Sequence, residues 1–180
     1  MQYTLIALVE DKPGVLNRVS SLFRRRNFNI ESLAVGRTEK PGVSRMTIVT
    51  NCENDMDAHK IEANLYKLVN VLRVENVTSQ PAVVRDLALI KVRTDKDSRP
   101  EVLQIAEVFR ARVVDVANGS VIVEVTGTED KIDGLLEVLR PFGIVEMVRT
   151  GVVAMNRKSD APRFSPEFVT ARLPEEAAAK

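Results

Sequence analysis

Residues 2–26, QYTLIALVEDKPGVLNRVSSLFRRR, decide the fold, because the apolar spacing changes partway along them. Gln2 to Val9 is a short apolar run rich in β-formers, and Glu10-Asp11-Lys12-Pro13-Gly14 has the turn chemistry that ends a strand. Beyond the turn, Val15, Leu16, Val19, Leu22 and Phe23 recur at i, i+1, i+4, i+7 and i+8, which is one face of a helix. Arg18 takes the wet side, and Arg24, Arg25 and Arg26 crowd the last turn, where cations favour the helix dipole. The spacing predicts a strand, a turn and an amphipathic helix that closes near Asn27.

Working outward, Asn29–Thr38 and Ser44–Thr50 alternate as strands around the turn Glu39-Lys40-Pro41-Gly42. Asp55–Val69 places Ile61, Leu65, Leu68 and Val69 at helical spacing, and Val71–Val77 is a final β-rich run. The order is βαββαβ. After Ser79-Gln80-Pro81 the same order recurs without residue-by-residue identity. It comprises a strand over Val83–Val92, a helix carrying Val102, Ile105, Ala106 and Phe109, and strands flanking Asn118-Gly119. A helix follows Thr128, its expected N-cap, and Ile144–Val148 is the last strand. The fold class is therefore α+β, with two consecutive ferredoxin-like βαββαβ domains over 1–78 and 82–158. Each is a four-stranded antiparallel sheet with two helices on one face. That topology leaves the other sheet face to be covered, and dimerisation is one economical way to hide Leu5, Ile6, Ala7, Leu8 and Val9. Residues 159–180, with three prolines and no sustained amphipathic spacing, are read as a mobile tail or partner-dependent arm.

Charge and composition remove several functions. Twenty-six Lys and Arg against 25 Asp and Glu leave no global field for nucleic acid or an anionic membrane. No segment approaches the ~20 apolar residues of a membrane span, and the start lacks the features of a secretory signal, so a soluble, cytoplasmic protein is expected. A lone Cys52 and a lone His59 cannot assemble a zinc site or an internal disulfide. Ser20 and Ser21 lie in a helix with no histidine nearby in sequence, so they read as solvated or capping hydroxyls. No catalytic and no metal-ligating residues are assigned. The βαββαβ order also occurs in RNA-recognition modules, but those stack bases on strand aromatics, and aromatics are 4% of this chain.

The informative constellation is Asp11-Lys12-Pro13-Gly14-Val15-Leu16 at the first turn, followed by Asn27-Phe28-Asn29-Ile30, read together as two edges of one corner. Helix-start amides carry partial positive charge, and Gly14 has no side chain to block a carboxylate. Asn29 offers both an amide donor and a carbonyl acceptor, which suits an amino acid's charged groups. A purely structural account, in which Asp11 caps the helix, Pro13 starts it and Gly14 eases the turn, stands beside this one.

The motifs DKPGVLNRV (11–19) and NFNIESLAVG (27–36) make the first ~78 residues resemble an ACT domain, a ligand-sensing βαββαβ module. More narrowly, NIESLAVGRTEKPGVSRMTIV (29–49) with KLVNVLRV (67–74) is similar to the small subunit of acetohydroxyacid (acetolactate) synthase. Val108-Phe109-Arg110, Val113–Val116 and Ile144–Val152 match that family's C-terminal domain. The resemblance implies a chain without catalytic chemistry that binds the catalytic large subunit, raises its activity and confers feedback inhibition by valine, in some members by leucine or isoleucine. It implies no cofactor here; thiamine diphosphate, magnesium and FAD belong to the large subunit. It implies an effector site between the ACT domains of a homodimer, carried onto Asp11, Pro13, Gly14, Val15 and Leu16 of one chain and Asn29 and Ile30 of the other. The family often has Asn where this chain has Asp11, so Gly14 and Asn29 carry the most weight. The implied alternative is a stand-alone amino-acid sensor serving a different enzyme or regulator. An independent enzyme in the second domain is disfavoured because that domain holds neither histidine nor cysteine.

Overall fold

Alternation along β1 (Gln2–Glu10) sends Tyr3, Leu5, Ala7 and Val9 to one side, where they meet α1 (Val15–Arg25) and α2 (Asp55–Leu65). A computed structural model describes residues 1–157 of the chain; the expected tail, 159–180, lies outside the described residues. The remaining strands of the first sheet are β2 (Ile30–Arg37), β3 (Val43–Asn51) and β4 (Val71–Asn76), in the antiparallel order β2-β3-β1-β4. Leu5, Val19, Phe23, Ile48, Ile61 and Leu65 form the centre of this core, each no more than 1% exposed. Close packing of this kind makes every methylene count. The first unit spans Met1–Val83 and, among the described residues, includes 154–157 again.

The second unit, Val84–Val153, repeats the arrangement. β5 (Ala82–Arg93) begins at the end of the first unit and supplies the second one's central strand; α3 (Arg99–Val108), β6 (Arg112–Val116), β7 (Ser120–Gly127), α4 (Glu129–Leu139) and β8 (Ile144–Arg149) follow. The sheet order is β6-β7-β5-β8, and β9 (Val153–Asn156) pairs with β5, so this sheet has five strands where four are expected. β9 escapes a sequence reading because four residues are too few to display alternation. Ala88, Ile90, Val92, Val123, Ile132, Leu135 and Leu139 form a second, separate core.

Several local expectations change on contact with the tertiary structure. Leu16 shares the apolar stripe of α1 in sequence but is 46% exposed, because it lies 100° round the helix from Val15, at the rim of the buried face. α2 stops at Leu65, and Val69, 67% exposed, lies in the following turn. Thr128 occupies the N-cap of α4 with extended backbone, yet its hydroxyl makes no capping bond; Asn54 caps α2 instead, accepting from Asp57 N at 3.0 Å. The helix-free face of the first sheet is not bare: Ile6, Leu8, Thr47 and Val49 are all buried. On that face the Arg45 guanidinium donates to the Ala154 carbonyl, and Asn156 Nδ2 donates to Glu75 at 2.9 Å. Burial draws the Arg45 pKa down, while Glu75 and Glu39 oppose the shift.

Two expected outcomes follow from these contacts. A Cβ built on Gly134, inside α4, would meet Phe109 Cε1 at 3.6 Å, an ordinary contact. Gly134→Ala therefore raises stability by about 0.5–1 kcal/mol, through a less flexible unfolded chain, in urea unfolding of the whole protein. A lowered midpoint would mean the Phe109 ring cannot yield. In the first unit, Tyr3 Oη donates to Asp55 Oδ1 at 2.5 Å. That hydrogen bond, then burial, then the Asp55 charge push the phenol up from 10.0 to about 12. The folded form holds this proton more tightly than the unfolded one, so the stabilisation is complete below pH 10 and is lost as pH rises towards 12. With two tyrosines and no tryptophan, tyrosinate absorbance resolves the titration. Tyr3→Phe should remove its upper step, and an unchanged curve would refute the assignment.

Candidate functional site

The β1–α1 turn is built around Gly14. Its φ of 81° is left-handed, it sits at the N-cap of α1, and no side chain caps the helix. The first turn of α1 also holds no acidic residue. Val15 N donates to Lys12 O at 3.4 Å, and the next two amides of α1, those of Leu16 and Asn17, are the ones left for an outside acceptor, the usual state of a helix start that lacks a side-chain cap. Open space lies in front of Gly14: beyond its own backbone and its two chain neighbours, no atom lies within 4 Å of where a Cβ would stand. The turn itself is held by Asp11 N donating to Gly42 O at 2.8 Å and Lys12 N to Glu10 O at 3.0 Å. Asp11 does not cap the helix; its carboxylate lies 3.3 Å from Arg37 Nε at the end of β2. An arginine across the turn offsets the negative charge that would otherwise oppose an incoming carboxylate.

The second half of the expected site lies at the far end of α1. Asn27 adopts a positive φ of 56° that turns the chain out of the helix. Asn29 is exposed, donates from Nδ2 to Glu31 Oε1 at 2.7 Å, and accepts from Thr50 Oγ1 at 2.6 Å through its carbonyl. A cavity of about 410 Å³ opens here, lined by Ser20, Phe23, Arg24, Asn27, Phe28, Asn29 and Ile30. α1 has 11 residues, so the two halves stand roughly 16 Å apart within one chain at 1.5 Å per residue. They are opposite ends of one helix and not two edges of one corner. One free amino acid is too short to touch both halves of the same chain.

Of the expected site residues, Asp11, Pro13, Gly14 and Leu16 are exposed at the turn, while Val15 is 4% exposed and belongs to the core. Ile30 is partly buried against that same core. Glu10 belongs to the turn stretch evident in the sequence, but the parts that Arg18, Arg37 and Asn70 play in shaping the turn do not show there. Their partners lie up to 60 positions away, and no local spacing signals such a pairing. Cys52 is buried, and burial pushes its thiol up, away from the reactive thiolate. The His59 side chain is 76% exposed. Among the described residues no cluster of three or more His, Cys, Asp or Glu could hold a metal, and no helix is long and apolar enough to cross a membrane.

Comparison with known proteins covers both units. Residues 5–73 match the family model for the AHAS small subunit-like ACT domain, and residues 85–158 match that for the small subunit of acetolactate synthase. The acetolactate synthase small subunit of Mycolicibacterium smegmatis is 51% identical over 155 residues, 86% of this chain and 91% of that protein. That of Bacillus subtilis is 45% identical over 170 residues, 94% of this chain and 99% of the relative. The crystal structure of the small subunit from Thermotoga maritima superimposes with a TM-score of 0.81 at 40% identity, covering 88% of this chain and 98% of that one.

Proposed function

The chain belongs to the acetolactate synthase small-subunit family, and on that premise we propose that it binds the catalytic large subunit, raises its activity and confers feedback inhibition by valine. The condensation of a pyruvate-derived carbanion with a second keto acid, and the thiamine diphosphate, magnesium and FAD it uses, belong to the large subunit. The ACT-like domain, 1–78, is the effector-binding and dimerising part; the C-terminal domain, 82–158, is the part that engages the large subunit. Leucine or isoleucine replaces valine in the same pocket if the apolar contacts favour the longer side chain.

One observation carries the effector reading. An uncapped helix start with open space at Gly14 lies roughly 16 Å from the cavity at Asn29 in the same chain. A site that uses both therefore takes Asp11, Pro13, Gly14 and Leu16 from one protomer and Asn29 and Ile30 from its partner. The helix-start amides receive the carboxylate, Asn29 orients the ammonium, and Leu16 and Ile30 bound the side chain. An effector bridging two chains shifts the arrangement of the dimer and withdraws support from the active large subunit. The linkage requires different effector affinities in the active and inactive assemblies, with a coupling of ~1–3 kcal/mol.

The test mixes the protein with the large subunit of the same organism and follows acetolactate formation with and without millimolar valine. Activation that valine reverses is the expected result. Activation without inhibition by valine, leucine or isoleucine would remove the effector half of the reading, and no effect at all would remove the partner.

A further inference from the structure

Glu10 closes β1 and is 6% exposed, although it carries a carboxylate. A buried carboxylate is tolerated only with partners, and Glu10 has two. Lys12 Nζ, within the turn, lies 3.1 Å from Oε1, while Asn70 Nδ2, from the loop between α2 and β4, donates to Oε2. The Asn70 backbone carbonyl also accepts from Glu10 N at 2.9 Å. The other end of the same amide is engaged as well: Asn70 Oδ1 accepts from Arg18 Nη1 at 2.9 Å. Arg18 sits one helical turn beyond Gly14, and its own N–H donates to Gly14 O at 3.1 Å.

We propose that Asn70 is a positioning residue for the effector turn: its side-chain amide ties Glu10, just before the turn, to Arg18, just after it, and so sets the direction of the α1 amides at Gly14. The inference rests on the effector reading of that turn. Asn70 touches neither effector nor large subunit in this scheme; it acts through the turn. Only a group that donates at one end and accepts at the other completes the bridge. Without the Asn70 donor, Glu10 keeps Lys12 as its side-chain partner, and Lys12 belongs to the turn itself. The turn would then follow the lysine towards the buried carboxylate and away from the geometry that presents the amides.

The test uses the assembled small and large subunits, titrated with valine, for wild type, Asn70→Ala, Asn70→Asp and Arg18→Met. Activation without valine should match wild type in all three variants. The valine concentration for half-inhibition should rise by about tenfold in Asn70→Ala and by less in Arg18→Met, which breaks only the exposed end of the bridge. Asn70→Asp sets a second carboxylate against Glu10, and sharing one proton between the two restores the donor. The charged groups facing this pair are Lys12 from the turn and Arg18 from α1; the residue opposite Glu10 on β3 is the apolar Val43. The defect of Asn70→Asp relative to wild type should therefore shrink as pH falls from about 8 to about 6, while that of Asn70→Ala stays constant. A merely weakened fold would lower activation in every variant and give no such pH dependence.

Amide hydrogen exchange across residues 11–18, measured without effector, reads the brace independently of any regulation. Asn70→Ala should accelerate it there and leave the second unit unchanged. Wild-type sensitivity to valine in Asn70→Ala and Arg18→Met, or unchanged exchange over 11–18, would overturn the brace. A wild-type protein that no branched-chain amino acid inhibits would instead overturn the effector reading, and the exchange measurement would still decide the brace.

Discussion

Gly14→Asp strongly weakens inhibition by valine while the small subunit still activates the large one. The half-inhibitory concentration should rise by about 100-fold, near the upper end of typical allosteric couplings. The argument has two parts. The φ of 81° at Gly14 costs a side chain such as Asp roughly 1–2 kcal/mol, and Asp is among the residues that tolerate it best. No neighbour lies within 4 Å of the new Cβ, so the change is not a clash and the fold survives. The new carboxylate does, however, stand where the effector's carboxylate would dock, and it accepts from the same amides. Gly14→Ala carries a backbone cost at least as large but no charge, so it should remain inhibited to within a few-fold of wild type. Equal loss of inhibition in both variants would assign the effect to backbone strain and remove the anion-docking argument. Full inhibition of Gly14→Asp would remove the site altogether.

Phe23→Ala destabilises the first unit by about 3–5 kcal/mol, the range for truncating a buried aromatic. Phe23 is 1% exposed and packs among Leu5, Val19, Ile48 and Ile61, and its ring also backs the cavity beside Asn29. A single domain is stable by only 5–15 kcal/mol in total, so the loss is a large share. The measurement is urea unfolding of the full chain by circular dichroism. The second unit has its own core, centred on Ile90, Ile132 and Leu135, so a transition belonging to it should keep its midpoint while that of the first unit falls. Leu16→Ala is the contrasting change: at 46% exposure it should alter stability by no more than about 0.5 kcal/mol. An unmoved midpoint in Phe23→Ala, or a shift in Leu16→Ala of the same size, would contradict the packing described.

Sequence periodicity distinguishes Phe23 from Leu16 poorly, because both fall within the apolar stripe of α1. What separates them is the placement of β1 and α2 against that stripe, which only the assembled layers define. The same holds for β9: four residues, Val153–Asn156, become a strand because β5 offers them an edge and not because their own spacing requires it. Asn54 and Thr128 make the point for caps. Both have the chemistry, and only Asn54 has its side chain turned towards the helix amides.

By itself the sequence determined the order of elements from β1 to β8, the two βαββαβ repeats and the location of the turn at Gly14. Each of these follows from local rules: apolar period, turn residues and the conformational freedom of glycine. It also carried the motifs that resemble acetolactate synthase small subunits. The predicted helix from Val15 to near Asn27 already separates Gly14 from Asn29; only the assembled structure decided that Val15 is core and Leu16 surface, and that a buried Glu10 leans on Asn70. The physical reason is separation along the chain. A buried charge is satisfied by whichever partner the fold brings within hydrogen-bonding distance, here one 60 positions away, and no pattern of neighbouring residues encodes that meeting.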